Sequence, residues 1–592
     1  MYENTFRMNP CMVRGVARRS YTNDRYASET TPERLFGFDA IYSRGGLCMK
    51  HQSLGIWVIL GMLLSMGYIL APALVSGNVT SHSSFTASKD FTELDIGFCT
   101  YLGGPEYDGI YALTTDDDDC IYLAGYTESP DFPTTEGAFD QSHNGGPYWE
   151  PQDCFVTKLS NDGQEIIYST FIGGSDGAEY VTGMAVDEEG NVYIIGRTSS
   201  DDFPTTEGAY NQLYNGGESD CFMTKLSADG TELLYSTYVG GSAYEVPFDI
   251  TIDSNGDSYV VGYTESPDFP VITLNEQDSC YTLGGGHDGF IFKLCGNGSC
   301  LEYSMYLGGD GTYDDAFSLT LDSYERIVVA GYTRSTDFPV VDAMYDEING
   351  EGDCFITRLE HDGTFDFSTY LGGSVLDGAY SVAVDSNDDI YIIGITDGGN
   401  FPIVGADESI FNGTFGIFLS ILNEQGTALE YSGVLKDSQK EGVSTSVGSV
   451  LIVSEHEVWI SGNTGNEQFP VTENALDKTM AERKGFIVMM DPVRSSLNYS
   501  TFIGGRNWNS ISGIVMDSSG NIYSCGSTDS PDLPVRNAIE SSKLGTEHDR
   551  DGFAFSLIRE ETLEPFPILP VLAIGAGIGI LAVIAVVLKR KS

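Results

Sequence analysis

Six short stretches of this 592-residue chain, equivalent to one another, carry groups able to bind a ligand or act on one. The stretches are PEYDG (105–109), SDGAEY (175–180), SAYEV (242–246), DGTYDD (310–315), SVLDG (374–378) and RNWNS (506–510). Five of them hold Tyr107, Asp108, Asp176, Glu179, Tyr244, Glu245, Tyr313, Asp314, Trp508 and Asn509. Aromatic faces stack on sugars or cations and carboxylates accept hydrogen bonds, so these types gathered at one rim predict an acidic, aromatic ligand pocket. If Asp108, Asp176, Glu179, Glu245 and Asp314 instead face one another in pairs, they would serve acid–base cleavage of a polysaccharide.

Other chemistries find less footing. His143, His287 and His548 fall in one kind of connection, while His361 and His456 fall in turns on the opposite side. They belong to separate repeats, and a shared metal would require long inward excursions. His-Glu-x-x-His and Gly-x-x-x-x-Gly-Lys do not occur. DDDDC (116–120), DSNGD (253–257) and DSNDD (385–389) look like calcium loops but lack the terminal Glu of that motif, so they read as hairpin turns. Weak Ca2+ binding there is the one cofactor expectation, and no catalytic residue is assigned.

The elements that must position these residues are repeats. DFPTTEGAFDQ (131–141) returns as DFPTTEGAYNQ (202–212). Phe-Pro recurs at Phe132, Phe203, Phe269, Phe338, Phe401 and Phe469, and Leu533-Pro534 stands where a seventh copy is due. A unit of this size cannot bury a core alone, so the copies must pack on one another. Within residues 173–240, YVTGMAVD (180–187), VYIIGRT (192–198), DCFMTKL (220–226) and ELLYSTYVGG (232–241) alternate apolar and polar residues between Gly- and Asp-rich turns. Four antiparallel strands a to d in each of seven units predict an all-β, seven-bladed β-propeller. The Gly-Gly pairs after strand d read as turn residues. Phe-Pro reads as a structural pin for the long b-to-c connection.

The ends are offset by one strand. Residues 91–104 match strand d, whereas the last repeat stops at 551–558, a strand c. Pairing the two would close the ring and remove two exposed edges. The phrases YSTFIGG, D-x-x-G-N-x-Y-x-x-G and FPTT-x-GA-(F/Y) resemble the SBBP family of seven-bladed propeller repeats, found in surface and secreted proteins of bacteria and archaea. That resemblance spans about 91–560. It weakens in the sixth unit, where YSGVLKDSQKEG lacks the Gly-Gly and SEHEVWISGNTG lacks the Asp-x-x-Gly turn.

The net charge of −56 repels phosphate backbones, so nucleic acid is not an expected partner. Residues 54–75 and 568–588 are uncharged apolar runs long enough to cross a bilayer, and KRKS after the second should stay in the cytoplasm. The second run also resembles the C-terminal anchors of archaeal surface proteins. The expected organisation is a basic segment 1–48 that an over-extended gene start would explain, then a signal peptide or transmembrane helix 49–76 and a linker 77–90. The propeller 91–560 follows, then a linker 561–567, a transmembrane helix 568–588 and a basic tail 589–592. This places the propeller outside the cell, with the membrane and an extracellular protein or glycan as partners. Export permits glycosylation at Asn78, Asn297, Asn412 and Asn498 and a disulfide between Cys295 and Cys300. Cys154, Cys221 and Cys354, equivalent in three repeats, read as buried apolar residues. The function expected is non-catalytic binding or adhesion, with a polysaccharide lyase or glycoside hydrolase as the alternative.

Overall fold

The computed structural model describes residues 94–559, apart from 146–151, 273–281, 437–444, 547–548 and the single positions 408, 412 and 414. Every element there is a strand. β1 (Leu94–Leu102) comes first. Blade one is β2 (Asp108–Thr115), β3 (Ile121–Thr127), β4 (Asp153–Leu159) and β5 (Ile166–Ile172). Blade two is β6 (Glu179–Val186), β7 (Val192–Thr198), β8 (Asp220–Leu226) and β9 (Leu233–Val239). Blade three is β10 (Glu245–Ile252), β11 (Ser258–Thr264), β12 (Asp288–Leu294) and β13 (Leu301–Leu307). Blade four is β14 (Asp314–Leu321), β15 (Ile327–Thr333), β16 (Asp353–Leu359) and β17 (Phe365–Leu371). Blade five is β18 (Asp377–Val384), β19 (Ile390–Thr396), β20 (Gly416–Leu422) and β21 (Leu429–Lys436). Blade six is β22 (Thr445–Ser454), β23 (Glu457–Thr464), β24 (Lys484–Asp491) and β25 (Ser496–Ile503), and blade seven continues with β26 (Asn509–Met516), β27 (Ile522–Thr528) and β28 (Asp551–Arg559).

Six sheets pair their strands in chain order, and the seventh runs β1-β28-β27-β26. β1 lies antiparallel to β28, from Leu94 opposite Arg559 to Leu102 opposite Gly552. Its side chains do what strand d does elsewhere. Tyr101 Oη donates to Ser530 O at 2.9 Å, as Tyr238 does to Ser200 O, Tyr306 to Ser266 O and Tyr370 to Ser335 O. Blade seven meets blade one through Ser512 Oγ donating to Ile110 O at 2.8 Å and Ser518 Oγ donating to Asp119 Oδ2 at 2.7 Å. The two apolar runs lie outside the described residues, and no helix among the described residues is long and apolar enough to cross a membrane.

The Phe-Pro repeat acts as the pin that its position suggests. Each Phe is buried and lies against the Phe of strand c in its own blade, with ring centroids 4.2–4.9 Å apart from Phe132–Phe155 to Phe469–Phe486. Leu533 is buried in the seventh place. Strand b carries a Gly at its centre for a different reason. A Cβ on Gly196 would meet Tyr180 O at 2.0 Å and the Phe222 ring at 2.6 Å, because β6 bulges toward it between Val181 and Gly183. Cys154, Cys221 and Cys354 are buried free thiols, and Cys295 and Cys300 form a disulfide across their turn.

In blade six, β22 runs to ten residues with two register shifts, and a tight turn leads into β23 where the other blades use an Asp-led turn. In those blades the first Asp holds the turn itself: Asp253 Oδ1 accepts from Asn255 N and Asp257 N, and Asp385 Oδ1 from Asn387 N and Asp389 N.

Phe203→Ala should cost about 3–5 kcal/mol, since a fully buried ring leaves a cavity between β8 and its loop. Tyr101→Phe, which strands the Ser530 carbonyl and the Leu533 amide, should cost about 1–3 kcal/mol. Urea denaturation followed by tyrosine fluorescence measures both. A neutral result for Tyr101→Phe would mean that β1 does not act as the outer strand of blade seven.

Candidate functional site

The sequence-expected rim divides into two populations. Asp108, Glu179, Glu245, Asp314 and Asn509 are each the first residue of an innermost strand, and each is fully buried. They occupy one repeated slot. Glu179 Oε1 accepts from Thr198 Oγ1 at 2.7 Å and Ser200 Oγ at 2.5 Å, and Oε2 accepts from Gly174 N at 3.2 Å. Asp314 takes the same bonds from Thr333, Ser335 and Gly309. Asn509 takes them from Thr528 and Gly505, and Asp377, not singled out in the sequence, takes one from Gly373. Burial corrects the expectation that these side chains point into a ligand pocket, since they belong to the frame.

A second carboxylate faces this slot from the preceding blade: Asp551 beside Asp108, Asp153 beside Glu179, Asp220 beside Glu245, Asp288 beside Asp314 and Asp353 beside Asp377. Asp220 Oδ1, Asp288 Oδ1 and Asp353 Oδ1 are buried and accept no hydrogen bond. This explains the first Gly of the Gly-Gly pairs at these five seams. A Cβ on Gly240 would lie 2.4 Å from Asp220 Oδ1 and 2.7 Å from Glu245 Oε2, so the residue is Gly for want of space, whereas a turn role would have needed only its backbone freedom. Burial pushes the Asp108 carboxyl up to about 8, those of Glu179, Asp220, Asp288 and Asp353 up to about 7, and those of Asp377 and Asp551 up to about 6. At the other two seams the equivalent strand-start positions hold Gly416 and Thr445, and Lys484 and Asn509, without a carboxylate pair.

The rest of the expected rim is accessible and joins residues that the sequence reading passed over. Arg550 lies 3.6 Å from the centre of the Trp508 ring and 5.5 Å from that of Tyr107. Tyr107 stacks on Tyr126 at 5.7 Å, and Tyr126 meets Tyr180 edge-on at 4.8 Å. Arg197 sits 4.4 Å over Tyr180 and 5.6 Å over Tyr244. Tyr244 touches Tyr263 at 5.9 Å, Tyr263 stacks on His287 at 4.4 Å, and His287 meets Tyr313 at 5.0 Å. Arg334 closes the series 5.4 Å over Tyr313 and 5.8 Å over Tyr332. The result is an unbroken arc of rings and cations on one face, running from blade seven through blades one, two and three to blade four. At the matching places, blade five has Leu376, Ile395 and Phe415, and blade six has Asn463 and Arg483.

A signal for this arc was present. Strand b ends in GYT, GRT, GYT, GYT, GIT, GNT and GST, so one column inside a constant frame varies through Tyr126, Arg197, Tyr263, Tyr332, Ile395, Asn463 and Ser527. Asp176 stands apart from the arc with Asp201 and Asp202, three exposed carboxylates whose oxygens lie within 4.8 Å. His143 and His287 are not brought together: His143 Nε2 lies 3.2 Å from Thr127 O, and His287 Nε2 lies 3.1 Å from Asp315 Oδ1. His548 and Asn412 lie outside the described residues; Asn297 is exposed and Asn498 half-buried.

The paired carboxylates set a pH dependence. Their folded pKa values are raised, so the native state holds more protons than the unfolded chain between about pH 4 and about pH 8, and stability falls as pH rises through that window. Thermal unfolding should show a Tm roughly a few degrees higher at pH 5 than at pH 8. Asp220→Asn should flatten that slope, as Asn509 does naturally in its own seam. A Tm that climbs from pH 5 to pH 8 would exclude protonated pairs.

Comparison with known proteins places the repeat. The SBBP family profile, described as a beta-propeller repeat, matches residues 167–204, 234–270 and 366–402, each running from an outer strand to the next Phe-Pro. A lambda-carrageenase of Pseudoalteromonas sp is 24% identical over 210 residues, covering 30% of this chain and 21% of that protein, so the chain matches about a fifth of that relative's length. Among solved structures, Raptor of Chaetomium thermophilum overlaps 79% of this chain and 29% of its own at TM-score 0.41 and 8% identity. A PL25 ulvan lyase bound to -[GlcA(1-4)Rha3S]- overlaps 77% and 97% at TM-score 0.37 and 9% identity. Likenesses this distant carry no inference about activity. The chain therefore carries SBBP beta-propeller repeats at these three stretches, within a propeller of seven four-stranded antiparallel blades.

Proposed function

We propose that the chain is a non-catalytic binding or adhesion propeller that takes an extracellular glycan or protein on the face carrying the arc. The observation that carries this reading is the contrast at that face: its slot carboxylates repeat and are buried, while its rings and guanidiniums vary between blades and are mostly half-buried to exposed, Tyr313 reaching 47% exposure. Seven equivalent slots serve the ring, and an unrepeated set serves a partner. With β1 paired to β28, a closed ring would be a rigid platform, which lowers the ordering cost of binding. The apolar runs 54–75 and 568–588 would hold the propeller 91–560 outside the membrane, with a short basic tail within.

A second reading, cleavage of a polysaccharide by a lyase or hydrolase, has two observations in its favour. One is the partial match to a lambda-carrageenase; the other is His287 held by Asp315 among Tyr263 and Tyr313, a group able to move a proton. Of the five carboxylates that reading names, only Asp176 is exposed, so they do not form pairs open to a glycosidic bond.

The full-length chain in nanodiscs, tested on a glycan array and by pull-down, should retain a partner that is lost on combining Trp508→Ala with Tyr313→Ala. Loss of two aromatic contacts should weaken binding about tenfold or more. Retention at wild-type strength would move the site off this face. New reducing ends or unsaturated products, abolished by His287→Asn, would instead establish the enzyme.

A further inference from the structure

We propose that the arc is a binding track for an anionic polysaccharide, with Arg550, Arg197 and Arg334 taking its sulfate or carboxylate groups and the exposed aromatic edges taking its sugars. This rests on the arc being the binding face, and adds the chemical class of the ligand.

The cations themselves carry the inference. In a chain with 86 acidic and 30 basic side chains, a guanidinium finds a carboxylate easily. Arg326 and Arg358 do so with Asp322 and Asp366, and Lys158, Lys225 and Lys293 do so at the turns of the opposite face. Arg197, Arg334 and Arg550 form no ion pair among the described residues. Each instead gives one N–H to a phenol: Arg197 to Tyr244, Arg334 to Tyr332 at 2.6 Å, and Arg550 to Tyr107 at 3.0 Å. The aromatic faces beneath hold them in place. A guanidinium has five donors in a rigid fork, so each arginine is oriented, keeps its charge, and retains donors that no described residue uses. Bidentate recognition of a sulfate or carboxylate needs that state.

The shape of the arc favours a polymer. The three cations lie on blades seven, two and four, separated by tyrosines, so a ligand touching all of them must be long and carry its charges at intervals. Three cations inside a field of −56 are too few to hold a nucleic acid, whose affinity comes from many neutralised phosphates. A polysaccharide with a charge on some of its sugars matches the spacing and the rings.

The test uses the full-length chain on biosensors loaded with dextran sulfate, dextran, polygalacturonate or a thymidine oligonucleotide. Binding to dextran sulfate or polygalacturonate should exceed binding to dextran at least tenfold. Combining Arg197→Gln with Arg334→Gln should remove about tenfold or more of it, with circular dichroism and Tm unchanged. Lys478→Gln, away from the arc, should leave it intact. Equal binding of dextran and dextran sulfate, abolished by Trp508→Ala but not by the arginine changes, would keep the binding face and overturn the anionic class. Preference for the oligonucleotide, no binding to any polymer, or binding indifferent to both sets of changes would overturn the track.

Discussion

A buried hydroxyl–carboxylate slot at the start of the inner strand in blades one to five governs this propeller. In blades one to four, an Asp or Glu there accepts from a Thr at the end of strand b, a Ser two residues on, or a Gly amide ahead of it. Taking a carboxylate out of water is costly unless its oxygens are met by donors, and the slot supplies them from three separate segments. Strand a therefore has one place to begin, and its neighbour can pack against it.

The binding face follows from that slot. Tyr107, Tyr244, Tyr313 and Trp508 immediately precede the buried acid or amide. Tyr126, Arg197, Tyr263 and Tyr332 immediately precede the buried Thr, and His287 and Arg550 immediately precede the buried Asp of strand c. Successive side chains on a strand point to opposite sides, so a residue next to a slot member is turned away from the slot. The frame thus presents one variable position at each of three strand ends per blade. Blade three fills all three with rings, as Tyr244, Tyr263 and His287; blades seven, one and four fill two of the three with rings or cations, blade two places Arg197 there, and blades five and six place Phe415 and Arg483 before strand c.

Charge is sorted by the same geometry. The acids that dominate the composition either sit exposed in loops, cap the a-to-b turns or are buried in pairs at five seams. The cations at the opposite turns are neutralised by the acids beside them, as Lys293 is by Asp253, Asp257 and Glu302. On the arc face the slot carboxylates are committed to hydroxyl and amide donors, and Arg197, Arg334 and Arg550 rest on the aromatic rings. An acidic protein can therefore offer a cationic surface, because the field at contact range depends on which carboxylates remain in water.

Number of blades, strand order, the pin function of Phe-Pro, the Cys295–Cys300 disulfide and the equivalence of β1 to an outer strand were all legible in the chain as written. Each is a local pattern of turn residues and apolar alternation, repeated often enough to be recognised without contacts. The fate of Asp108, Glu179, Glu245, Asp314 and Asn509 was not legible, because an Asp beside a Tyr in a Gly-rich loop looks the same exposed or buried. Tertiary structure alone decided it, since the donors that bury each acid lie about 20 residues away and the facing carboxylate comes from the preceding blade. The arc was decided in the same way: its members are far apart in sequence, and only the curvature of the ring brings Trp508 and Arg550 beside Tyr107.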